Sequence, residues 1–220
     1  MPCFRSVAAN PNGATTGRDD DGGDCRKGGK GWVDYKDTDS SVGGRSTGVT
    51  ACLDSDYLKA NKGSAAVPDK ATGYRWGQDQ ADGWGYTPKT YWVNGCHLLA
   101  KALSGKGTDA RNLSTCTRPA NTFTTGRTRM SVNFRYYESM VKDAVDAGQV
   151  VQHSVTPNYF DDKVTVPQSW TFNATVWYED GNSSTLINNQ DVWNQYTNWN
   201  DNLGGQGDDD GYTVPRAGTP

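Results

Sequence analysis

Aliphatic side chains are scarce in this sequence: Leu, Ile, Val and Phe make up about 14 % of its 220 residues, and isoleucine occurs once. Such a shortage is typical of disordered chains, but two counts oppose that reading. The formal net charge is only −3, and Trp, Tyr and Phe contribute 8, 11 and 5 residues. Each ring can bury roughly 150–250 Å², so aromatics can replace missing aliphatics in a moderate core. No stretch approaches the roughly 18 apolar residues of a membrane-spanning helix. Met1 to Arg5 lacks the apolar region of a signal peptide, which suits a processed secreted protein or a part of a longer chain. With two histidines and no C-x-x-C pair, a structural zinc site is disfavoured. The G-x-S-x-G nucleophile elbow and the phosphate-binding G-x-x-x-x-G-K-[ST] loop are both missing, which removes the usual signs of serine hydrolases and P-loop enzymes. Carboxylates are too sparse in the patterned body to favour a glycosidase pair.

Five cysteines are present. Abundant Asn, Gly and Thr suit an extracellular chain, and the expected disulfides are Cys25–Cys52 and Cys96–Cys116, with Cys3 left over. Five free thiols in a cytosolic protein is the alternative. Residues 1–30 read as a loop-rich leader. The acidic runs at 19–24 and 208–210 only superficially resemble calcium loops, because they lack the remaining ligands at the required spacing. One α+β domain is expected over 31–197, followed by a flexible Gly/Asp-rich tail over 198–220. Strands are expected at Trp32–Asp37, Thr47–Leu53, Tyr91–Val93 and Leu113–Cys116. Asp54 and Ser55 are placed to cap a short turn. Phe134, Tyr137, Val141, Ala144 and Val145 recur at helical spacing, with Gly148 where a capping glycine belongs. Strands then follow over 150–159, 164–178 and 184–188, the last two joined by a Gly181-Asn182 turn.

The charge is unevenly spread. From Lys89 to Lys142 there are nine basic residues against two acidic ones, a local positive field that favours phosphates despite the net acidity of the whole chain. The same segment holds His97, Asn112 and Asn121. His97 and His153 are the only imidazoles available as bases near neutrality. Alternation in Val150–Val155 makes His153 a strand residue with a structural role.

Three motifs carry a resemblance. Asn94-Gly95-Cys96-His97-Leu98-Leu99-Ala100, Gly105-Lys106-Gly107-Thr108-Asp109-Ala110-Arg111-Asn112-Leu113 and Thr117-Arg118-Pro119-Ala120-Asn121 resemble the DNA/RNA non-specific endonucleases. The likeness extends over roughly 44–190, with Tyr136-Tyr137-Glu138 resembling the opening of that family's helix. It implies a ββα-metal nuclease core on a mainly antiparallel sheet. It further implies an Mg²⁺-dependent enzyme, with Mn²⁺ as substitute, that cuts DNA and RNA to 5′-phosphate ends. By this resemblance His97 is the general base and Asn121 the metal ligand. Glu138 holds metal-bound water, and Asn112 buttresses the histidine loop. The family's usual Asp-Arg-Gly-His is Asn94-Gly95-Cys96-His97 here, so a phosphate-contacting arginine is lost; Arg118, Arg127 and Arg129 are the candidates to replace it. A Cys96–Cys116 bridge would pin the strand bearing His97 to the strand before Asn121. Expected partners are DNA and RNA as substrate, no membrane, and a cognate inhibitor protein if the domain serves as a toxin. The expected location is extracellular. The alternative function is a secreted glycan-binding module without catalysis, built on the aromatic, amide-rich segment from Val192 to Trp199.

Overall fold

The computed structural model describes residues 25, 31–126 and 132–205. Two β-structures organise the chain. The first is a five-stranded sheet of β1 (Trp32–Tyr35), β2 (Val49–Leu53), β5 (Val150–Asn158), β6 (Ser169–Trp177) and β7 (Ser183–Trp193), in the order β1-β2-β5-β6-β7. Every neighbouring pair is antiparallel. The second is a separate antiparallel hairpin of β3 (Val93–His97) and β4 (Leu113–Thr117). Between and around them run α1 (Ser55–Ala60), α2 (Tyr74–Gly83), α3 (Lys89–Trp92), α4 (Arg118–Asn121) and α5 (Phe134–Asp146).

Strand alternation sorts the sheet into faces. In register, Val49 pairs with Val155 and Leu53 with Val151, and Val155 and Val151 in turn pair with Phe172 and Val176. These buried side chains meet the apolar stripe of α5, where Phe134 packs edge-on to Trp170 and Phe172 at ring separations of 4.8 and 4.9 Å. Asn133 starts α5 by accepting the Tyr136 N–H at 3.0 Å, which satisfies an otherwise orphaned helix donor. A second cluster joins Tyr86, Val93, Val166, Tyr196 and Leu203, with Tyr86 stacked on Tyr196 at 3.8 Å. Rings thus supply much of the core that aliphatics do not.

Both expected disulfides are present: Cys25–Cys52 ties the N-terminal segment to β2, and Cys96–Cys116 crosses the β3–β4 hairpin. Asp54 caps α1 through the Tyr57 N–H at 2.7 Å, as its position implies. Three local expectations need correction. Tyr91 and Trp92 belong to the single turn α3, which follows Pro88, and the strand begins only at Val93. The strand expected from Val164 starts at Ser169, because Val164 and Val166 are buried in a loop instead. The last strand continues to Trp193 rather than stopping at Asn188. The start of the expected tail packs against the body: Leu203 is fully buried and its N–H reaches Asn194 O at 2.7 Å. Cys3 and both acidic runs lie outside the described residues.

Candidate active site

His97 is the last residue of β3, and the chain after it is held in place by side-chain amides. Fully buried Asn112 accepts the Leu99 N–H at 2.7 Å and donates to Leu99 O and Lys106 O at 3.1 and 3.3 Å. One amide therefore grips both polar groups of the backbone two residues past His97. An adjoining strap, residues 61–67, lies along this loop, with Ser64 N donating to Gly105 O and Gly107 N donating to Ser64 Oγ. A side chain at Gly105 would collide with Leu99 O, so only glycine permits this close approach. His97 Nε2 lies 2.9 Å from Ser64 O. A carbonyl can only accept, so Nε2 carries the proton and Nδ1 keeps its lone pair. Burial lowers the His97 pKa below the ordinary imidazole value and Lys101 lowers it further, against the opposing bond to Ser64. The ring is thus neutral at physiological pH.

Asn121 comes from the other arm of the hairpin. Thr117 ends β4 and caps α4, its Oγ1 accepting the Ala120 N–H at 3.3 Å. Its own N–H is held by buried Asn194 at 2.7 Å, so the exit of β7 fixes where α4 begins. Asn121 Nδ2 donates to Asn94 Oδ1 at 2.8 Å, and among the described residues the Asn121 side-chain oxygen has no hydrogen-bond partner. Glu138 lies on α5, off its buried stripe, and burial pushes its carboxyl up to about 7 against the opposing charge of Arg135.

His97, Asn121 and Glu138 line one cleft of about 670 Å³. Lys59, Lys62, Lys101, Arg135 and Lys142 also border it. Lys59 pairs with Asp56 and Lys142 with Asp146, whereas Lys101 and Arg135 make no ion pair among the described residues. The cleft therefore joins a neutral base, an oriented amide oxygen, a carboxyl destabilised as an anion and unpaired positive charge. That set can activate water beside a bound phosphate. No group of three or more His, Cys, Asp or Glu side chains is placed to hold a metal among the described residues. A hard cation that keeps several waters, such as Mg²⁺, suits an amide oxygen plus one carboxylate; a cage for zinc does not form.

Asn112 sits behind the His97 loop rather than in the cleft. Arg118 lies outside the cleft, its guanidinium carbon 4.4 Å above the Tyr91 ring. Arg127 and Arg129 lie outside the described residues. His153 is structural: Nδ1 donates to Asn173 O at 2.8 Å, and complete burial pushes its pKa down to about 4. Sequence reasoning did not single out Ser64, Asn94, Lys101 or Arg135 for these parts. Arg135 stands three residues before Glu138, a helical spacing that could have flagged it, but a backbone carbonyl such as Ser64 O leaves no residue-type signal.

The profile of the DNA/RNA non-specific endonuclease family matches residues 25–177, a span that contains His97, Asn112, Asn121 and Glu138. The chain belongs to this family. It is therefore a nuclease, a hydrolase of phosphodiester bonds, in a family of metal-dependent enzymes. Its fold is similar to that of NucA from Streptococcus agalactiae, crystallised with no metal bound. That match has 23 % identity and a TM-score of 0.51 over 76 % of this chain and 74 % of NucA. An extracellular endonuclease matches at 14 % identity and a TM-score of 0.52, over 77 % of this chain and 84 % of its own. An extracellular nuclease matches at 13 % and 0.50, over 76 % and 85 %. No curated protein matches the nuclease. At these identities the solved structures establish the fold of the nuclease, a ββα-metal core on a mainly antiparallel sheet.

Proposed function

We propose that this nuclease hydrolyses DNA and RNA without sequence preference, using Mg²⁺ or, in its place, Mn²⁺, and leaves 5′-phosphate ends. The observation that carries this reading is the convergence of His97, Asn121 and Glu138 on one cleft, with the proton of His97 committed to Ser64 O. His97 Nδ1 takes a proton from a water molecule as that water's oxygen bonds to phosphorus. The phosphorus–O3′ bond breaks, so the phosphate stays on the 5′ oxygen of the downstream nucleotide and the departing 3′ oxygen takes a proton from a second water to become a hydroxyl. Asn112 and Ser64 hold the imidazole at the angle this transfer needs. Asn121 Oδ1 would bind the metal directly, and Glu138 would hold it through bound water. When bound, the ion supplies the positive charge that stabilises the crowded phosphate and the departing oxygen. Lys101 and Arg135 offset the charge of the substrate backbone, which carries no sequence information, and Arg118 adds to the grip outside the cleft.

Two disulfides and the extracellular relatives support a secreted protein. Trp193 and Trp199 are exposed and meet edge to face at 5.5 Å, but membership of a nuclease family removes the case for a glycan module without catalysis. The test incubates supercoiled plasmid and single-stranded RNA with the protein and Mg²⁺. Both should be cut to 5′-phosphate products, a chelator should stop the reaction, and Asn121→Ala should slow it at least about 100-fold. Cutting that survives chelation, or that Asn121→Ala leaves at the wild-type rate, would overturn the proposal.

A further inference from the structure

Outside the cleft, an unusual pair of side chains continues the line drawn by its metal-facing amide. Arg118 and Asn121 stand three apart on α4, so they rise from one face of that turn. Asn121 borders the cleft, while the Arg118 guanidinium carbon lies 4.4 Å from the centre of the Tyr91 ring. Among the described residues Arg118 has no carboxylate partner, and its Nε is buried without a hydrogen-bond partner. Tyr91 is 47 % exposed. Trp92 braces it edge-on at 5.1 Å and is itself anchored through Nε1 to Thr87 O at 3.1 Å. Asn94 stitches this pair to the cleft, accepting from Asn121 at 2.8 Å and donating to Tyr91 O at 3.4 Å. The Tyr91 backbone and Asn121 at the cleft edge are therefore joined through the Asn94 side chain.

We propose that Tyr91 and Arg118 form a stacking subsite for an unpaired base next to the scissile phosphate, and that the enzyme consequently favours single-stranded nucleic acid over duplex. The inference rests on the nuclease reading and adds the substrate's strandedness to it. An exposed ring braced by a second ring and covered on one face by a guanidinium offers an unpaired base an aromatic surface with positive charge beside it, the kind of platform on which such bases stack. Positive charge at Arg118 complements the phosphates on either side of that base, and the subsite is continuous with the cleft that cuts the chain. In a duplex the faces of each base are covered by its neighbours, so the ring gains nothing there. Because every base has a π-face, the subsite keeps cleavage indifferent to sequence.

The test compares kcat/KM of wild type, Tyr91→Ala and Tyr91→Phe on a dT oligonucleotide and on a hairpin duplex. Tyr91→Ala should lose about fivefold or more on the single strand, the scale of one stacked base, and less than twofold on the duplex. Tyr91→Phe should stay within twofold of wild type on both. Equal losses on the two substrates, or no loss on the single strand, would overturn the proposal. Binding of fluorescein-labelled oligo(dT) to His97→Ala, with and without Tyr91→Ala, decides the same point without turnover. If the wild type cuts neither substrate, the nuclease reading fails while the binding measurement still decides the stacking subsite.

Discussion

At the residue scale, the division of labour at His97 follows from which nitrogen is already engaged. Ser64 O accepts a hydrogen bond from the Nε2 N–H, and burial keeps the ring neutral, so the Nδ1 lone pair is available as a base. The pH dependence follows in sign. A base works in its neutral form, and a pKa lowered from 6.5 keeps His97 neutral to a lower pH than an ordinary imidazole. The acid limb of kcat/KM should therefore have its midpoint below 6.5, the ordinary imidazole value. Lys101→Gln, which removes a charge opposing protonation, should move that midpoint upward. A limb centred above 6.5 in the wild type would contradict this placement of His97. Glu138 is shifted in the other direction, and its carboxyl would become a better anion once a cation shares the cleft. Asn94 shows how a departure from the family's pattern can be absorbed. The family's aspartate is an acceptor, and Asn94 still accepts from Asn121 without adding negative charge. Position 95, where the family has arginine, has no room for a side chain: a Cβ there would lie 2.8 Å from the Pro68 backbone.

Elements differed in how clearly the sequence announced them. Helix α5 was legible because Phe134, Tyr137, Val141, Ala144 and Val145 repeat at its period, between the Asn133 cap and Gly148. The β3–β4 hairpin was legible through its motifs, and so were its disulfide and the order His97, Asn112, Asn121. By contrast α2 went unread. It buries only Gly77 and Ala81, and small residues leave no hydrophobic period to detect. The strap at 61–67 was equally silent, because its contribution is made by backbone groups that any residue carries. The Cys96–Cys116 bridge joins the strand that ends at His97 to the strand that leads into α4, and both cysteines are buried. For a loop of 20 residues the chain-entropy account gives about 3 kcal/mol. The double variant Cys96→Ser/Cys116→Ser should lose stability of that order in denaturant unfolding and lose activity with it. An unchanged midpoint would show that the bridge does not support the hairpin.

For the molecule as a whole, a formal charge of −3 conceals a positive working face. The basic excess between Lys89 and Lys142 was visible in sequence, but not which of its members would meet. Folding brings Lys101, Arg135 and Lys142 to the same cleft as Lys59 and Lys62 from α1 and the strap. Phosphate contacts of this kind release counterions, so kcat/KM on long DNA should fall with rising salt along a straight line in logarithmic coordinates. Lys62→Gln should flatten that slope by about 1 without altering the pH midpoint. A salt-independent rate would mean that this face does not hold the substrate backbone.

The most direct measurement is turnover of DNA by His97→Ala against wild type at saturating Mg²⁺, with and without added imidazole. The variant should be slower by at least about 100-fold, and imidazole should restore part of the loss, because it supplies the missing lone pair in the space the side chain vacates. A variant that cuts within threefold of wild type would contradict the assignment of His97 as the base.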